Sequence, residues 1–257
     1  MADVVLVEYP DPAIAVVRIN RPEVRNALNL EVRQVMAEIF RQFVDNEKLR
    51  CVILTGNEKC FAAGADIDDM SRLEAIDMYL RHTERLWQAI ADCPLPIIAA
   101  INGYALGGGL ELAMHADIII AGKGTKLGQP EVNVGIMPGA GGTQRLTRAV
   151  GKFVAMRLCL TGEIISASEA CEMGLISKLT DDDAVMETAM EMASRIAALP
   201  PIAIAQIKEV ILHGTDAPLS AALALERKAL QILFSSKDKH EGMTAFLEKR
   251  KPEFTGK

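Results

Sequence analysis

The sequence predicts a mixed α/β fold that ends in a helical region, and three observations carry that expectation. Short β-branched apolar runs alternate with segments whose apolar residues recur at helical spacing. Glycine divides the chain, with 13 of 19 in the first 150 residues and 6 in the last 107, so the front is turn-rich and the back mostly helical. A chain of 257 residues that is 50% hydrophobic can also bury a substantial core.

Residues 4–9 and 14–20 are β-branched runs on either side of a Pro-Asp-Pro turn and predict paired antiparallel strands. Val32, Val35, Met36, Ile39, Phe40 and Phe43 keep helical spacing over 32–43, and the apolar run 51–55 follows as a buried strand. A helix over about 71–91 stops before Pro94 and Pro96, and 97–101 is a second buried strand. A short helix over 109–115 and a strand over 117–122 come next. Helical periodicity returns over 184–198, 202–212, 219–234 and 239–249. The stretch Leu199-Pro200-Pro201 marks a boundary between a region 1–200 and a helical region 201–257.

A net charge of −6 argues against nucleic acid as the main partner, because neutralising phosphates takes an excess of Lys and Arg. The basic tail 237–257 is a solvated helix face on this reading. Cys51, Cys60, Cys93, Cys159 and Cys171 contain no CxxC pair and suit reduced thiols in a cytoplasmic setting rather than disulfides or zinc. The N-terminus has neither a signal nor a transit pattern, and no apolar run is long enough to span a membrane; a mature organellar form with its leader removed is also compatible.

The stretch NGYALGGGLELAMHADI (102–118) sets three glycines two residues before Glu111. A phosphate cradle is the first candidate, yet no GxxxxGK[ST] or GxGxxG is present. What remains is a turn that brings bare backbone N–H groups to a ligand at a helix N-terminus, half of an oxyanion hole, or else tight helix-strand packing. The loop CFAAGADI (60–67), after the strand 51–55, could bring a second N–H. Glu111 stands among Leu110, Leu112, Ala113 and Met114, and Glu131 lies in GQPEVNVGIMPGAGGTQRL (128–146). Buried without a cation, Glu111 would titrate higher than a free carboxylate, partly opposed by the helix N-terminus.

Together with NRPEVRNALN (20–29), LTGEIISASEA (160–170) and HEGMTAFLEKRKPEF (240–254), these stretches resemble the crotonase (enoyl-CoA hydratase/isomerase) superfamily, most closely its bacterial-type hydratases. The resemblance implies a crotonase-like repeated ββα superhelix in 1–200 and a C-terminal helical region, 201–257, that builds a homotrimer or a hexamer of paired trimers. It makes the N–H groups of Ala65 and Gly108 an oxyanion hole for a thioester carbonyl, and Glu111 and Glu131 the acid/base pair. Glu131 gives a proton to Cα, Glu111 activates water, and Gly139 helps to hold that water. Ala63, Asp66, Ile67 and Asp68 are implied substrate contacts, with Val24 and Arg25 from the earlier loop and Lys249 at the nucleotide portion across an interface. The partner implied is an acyl-CoA thioester, with no cofactor beyond that CoA, no metal, no nucleic acid and no membrane.

Two positions depart from the pattern: Asp68, where Lys is common, and Leu230, where some members place an aromatic. The implied reaction is hydration of a trans-2-enoyl-CoA to the 3-hydroxyacyl-CoA, in fatty-acid or phenylacetate-type degradation. One alternative is a Δ3,Δ2-enoyl-CoA isomerase, disfavoured by the presence of both glutamates. Another is a non-catalytic protein that binds RNA or CoA esters.

Overall fold

The computed structural model describes residues 3–257, and strands form over the runs expected at 4–9, 14–20, 51–55, 97–101 and 117–122, within a residue or two at their ends. The first half runs β1 (Val5–Asp11), β2 (Ile14–Ile19), α1 (Leu30–Val44), β3 (Cys51–Thr55), α2 (Ile67–Met70), α3 (Ala75–Leu80), α4 (Thr83–Ala91) and β4 (Ile97–Ile101). The middle runs β5 (Tyr104–Leu106), α5 (Gly108–Ala113), β6 (Ile118–Gly122), β7 (Lys126–Gly128), α6 (Gly142–Val150), α7 (Lys152–Thr161), β8 (Ile164–Ser166), α8 (Ala167–Glu172) and β9 (Lys178–Thr180). Four helices close the chain: α9 (Val185–Ala197), α10 (Pro201–Thr215), α11 (Leu219–Leu233) and α12 (Lys237–Glu248).

The main sheet has the order β1-β2-β3-β4-β6-β9, antiparallel in the first pair and parallel in the rest. Every residue of β3 and β4 is buried, because helices cover both faces. Alternation along the strands divides the core accordingly. Val52, Leu54, Ala99 and Ile101 pack with Val32, Met36, Phe40, Trp87 and Ile90 on one side. Cys51, Ile53, Ile98 and Ala100 pack with Val185, Ala189 and Ala193 of α9 on the other.

Three expectations are corrected. The first strand runs through Pro10 to Asp11, with a register shift after Glu8, and Asp11 Oδ1 closes the turn by accepting from Ala13 N at 2.7 Å. The single helix expected over 71–91 is two short ones, α3 and α4. A capping box between Glu74 and Asp77 starts α3, and His82, in the left-handed region with φ 45°, separates α3 from α4. A second sheet of three-residue strands, β5-β7-β8, stands beside the main one, each strand too short to show periodicity. The C-terminal helices lie where their spacing puts them, and Lys208 on α10 ties them to the sheet layer through Asp117 Oδ2 and Leu95 O, both at 2.8 Å. Among the described residues no single helix is long and apolar enough to cross a membrane.

Candidate active site

Two loops that leave the carboxyl ends of β3 and β4 are laid side by side by backbone hydrogen bonds. Phe61 N and Ala62 N donate to Tyr104 O at 3.0 and 3.1 Å, and Leu106 N returns a bond to Ala62 O at 3.1 Å. Glycine permits this approach: a Cβ on Gly109 would stand 2.1 Å from Ala62 O, and Gly64, at φ 110°, leaves 2.8 Å to Leu106 O. Ala65 and Gly108 thus come close together and line the same cavity, since a Cβ on Gly108 would lie 3.5 Å from Ala65 N. Among the described residues neither N–H donates to another group. Gly108 is the first residue of α5, where an N–H has no partner within the helix.

Gly107 shows why flexible residues sit beside ionisable ones. Its φ is 50°, and a Cβ there would meet Glu131 Oε1 at 2.9 Å. Glu131 itself stands in a short 3-10 turn, Pro130–Val134. Its carboxyl is pushed up to about 7, by burial first and by the nearby Glu111 charge as well. The amide nitrogen of Gln129, oriented as its neighbours require, donates to Oε1 at 2.9 Å and Oε2 at 3.1 Å.

Glu111, only 3% exposed, projects from the first turn of α5. Its Oε1 accepts from Ala140 N and Gly142 N at 2.7 Å each, so the loop before α6 clamps one oxygen. Burial raises this carboxyl above the ordinary range, against the pull of both N–H groups and the Arg33 charge. The rise expected from burial is present, and the Arg33 charge only partly offsets it. His115, also buried, anchors the end of this helix through Nδ1 to Glu111 O at 2.8 Å and stacks on Trp87 at 5.4 Å. Burial holds that imidazole down at about 4, hence neutral.

One cavity of about 690 Å³ brings Ala63, Ala65, Ile67, Gly108, Glu111, Glu131 and Gly139 together. A Cβ on Gly139 would meet nothing within 4 Å, which leaves room for a water beside it. The other candidates stand apart from this cavity. Asp66 caps α2 and pairs with Arg21 at 3.0 Å, and Asp68 is exposed on the first turn of that helix. Val24 is exposed in the turn Pro22–Val24. Arg25, at φ 54°, lines a separate cavity of about 820 Å³ with Arg18, Lys59 and Tyr104, which lacks the paired buried carboxylates. Lys249 ends α12 in the left-handed region.

Sequence reasoning missed Gln129, Arg33, Trp87 and the Ala140 and Gly142 N–H groups. A signal existed for two of them: Gln129 lies two residues before Glu131, and Arg33 shares a helix face with Met36 and Ala37, both buried.

The sequence model of the family described as enoyl-CoA hydratase/isomerase matches residues 11–257. The chain belongs to the enoyl-CoA hydratase/isomerase family. Among proteins similar to this family member is the 2,3-dehydroadipyl-CoA hydratase of Escherichia coli, 41% identical over 95% of this chain and 96% of that one. The short-chain-enoyl-CoA hydratase of Clostridium acetobutylicum is 42% identical over 93% of each chain. A crystal structure of an enoyl-CoA hydratase subunit from Geobacillus kaustophilus superposes with a TM-score of 0.96 at 41% identity, covering 99% of both chains. The family match spans both loops and both glutamates.

Proposed function

We propose that the protein hydrates trans-2-enoyl-CoA thioesters to 3-hydroxyacyl-CoA. The observation that carries this is the pairing, in one cavity, of two carboxyls raised by burial with two backbone N–H groups left free. Addition of water to the conjugated thioester builds negative charge on its oxygen, and the N–H groups of Ala65 and Gly108 stabilise that charge. Glu111 takes a proton from water as the water oxygen bonds to the β-carbon, and Glu131 gives its proton to the α-carbon. The site is then left with Glu111 protonated and Glu131 ionised, and one proton passing back resets it. This chemistry asks for no group beyond the CoA of the substrate.

The relatives named for a dicarboxylic and for a short-chain substrate are 41% and 42% identical, so identity alone does not choose an acyl group. Residues 1–200 are proposed to carry the site and 201–257 to assemble a trimer or a hexamer. Val24, Arg25, Asp66, Asp68 and Lys249 remain proposed contacts to the CoA portion.

Hydration of crotonyl-CoA, followed as loss of the conjugated absorbance after chelator treatment, tests the reaction. Glu111→Gln and Glu131→Gln should each lower it roughly 10²–10⁴-fold, and the double variant should lose far less than the product of the two. The isomerase alternative prevails if a 3-enoyl-CoA is isomerised faster than crotonyl-CoA is hydrated and Glu111→Gln leaves that rate intact.

A further inference from the structure

Among the described residues Arg33 is the one cation lining the catalytic cavity, and the proposed chemistry gives it no direct contact with the reacting atoms. It sits on the first turn of α1, on the face whose neighbours Met36 and Ala37 are buried. Among the described residues it enters no ion pair, and its Nε is buried without a hydrogen-bond partner. The carboxylates whose charge reaches it are already engaged. Asp66 pairs with Arg21 at 3.0 Å, Asp69 takes both ends of Arg81 at 2.8 and 3.0 Å, and Glu111 is clamped by two backbone N–H groups. Among the described residues the other charge that acts on Arg33 is the like charge of Arg81. A planar guanidinium with free donors in a largely desolvated wall is costly unless something pairs with it.

The position of Arg33 says which part of a substrate could do so. The free N–H groups and the two glutamates fix where the thioester carbonyl and the reacting carbons go. The same cavity carries an apolar wall, Met70, Leu73, Met78 and Trp87, which suits the acyl chain of the proposed substrate. The Arg33 guanidinium lies 5.8 Å from the Trp87 ring centroid, at that wall. An aliphatic chain end gains nothing from a cation there, whereas a carboxylate can accept two parallel N–H bonds from it.

We propose that Arg33 receives a carboxylate at the far end of the acyl chain, so that the preferred substrate is a dicarboxylic trans-2-enoyl-CoA. This rests on the hydratase reading of the same site, and its test separates the two.

The direct measurement is calorimetric binding of two unreactive saturated thioesters of equal length, adipyl-CoA and hexanoyl-CoA. The wild type should bind adipyl-CoA roughly 10- to 100-fold more tightly, the worth of a charge-assisted pair in a partly desolvated site. Arg33→Met should erase that ratio, and Arg33→Lys, which keeps the charge and loses the fork, should keep part of it. Equal affinities in the wild type, or a preference that survives in Arg33→Met, overturn the proposal. The same ratio in kcat/KM for the two corresponding six-carbon trans-2-enoyl-CoAs should fall in parallel. If Arg33→Met slows both substrates equally with the ratio unmoved, Arg33 acts through Glu111 and the proposal falls. If the wild type hydrates neither, the hydratase reading fails, and the binding ratio still decides for or against the carboxylate site.

Discussion

Glu131 titrates at about 7 because burial penalises its charge and Glu111 adds repulsion. Its protonated form is the proposed acid, so kcat/KM for hydration should fall as pH rises through about 7, while the reverse dehydration, which needs the ionised form, should rise across the same window. The two carboxyls share a cavity, so the measured midpoints belong to the pair. The Gln129 amide, 2.9 and 3.1 Å from the Glu131 oxygens, favours the ionised form. Gln129→Met should therefore move the alkaline limb to higher pH, and a limb that stays in place would assign the titration to another group. Both glutamates are legible in the sequence because each has apolar neighbours that a solvated residue does not need. Arg33 and Gln129 carry only a faint mark, their spacing to Met36, Ala37 and Glu131, since their roles depend on which loops meet.

At the scale of elements, α5 supplies the proposed oxyanion donor from its first residue. A proline is compatible with that helix position, where no intrahelical bond is lost. Gly108→Pro should thus leave cooperative thermal unfolding intact while lowering kcat roughly 10²–10³-fold, the effect of losing one such donor. A folded Gly108→Pro variant with near wild-type kcat would place the donor elsewhere. The long elements are legible in the sequence: β3 and β4 as unbroken apolar runs, α1 and the last four helices as periodic faces. The 71–91 segment misleads because its apolar residues suggest one rod, whereas a capping box and a left-handed His82 divide it. The strands β5, β7 and β8 owe their pairing to one another rather than to composition.

For the whole molecule, one chain leaves much apolar surface uncovered, including Phe153 on α7 at 85% exposure and Phe246 on α12 at 80%. The proposed assembly would cover such residues, so sedimentation should give three or six chains, and a single chain at micromolar concentration would refute it. The cavity walls differ in how firmly the rest of the molecule holds them. The proposed thioester end rests on the loops that leave β3 and β4, whose residues are all buried, whereas α2 and α3, which carry Ile67, Met70 and Met78 of the proposed acyl wall, bury no residue. Displacing those two helices strips no buried residue from the core, so local opening there costs far less than global unfolding. Distorting the oxyanion loops would disrupt the main sheet itself. Acyl groups of different bulk can be accommodated by yielding at one end, while the reacting atoms keep fixed company at the other.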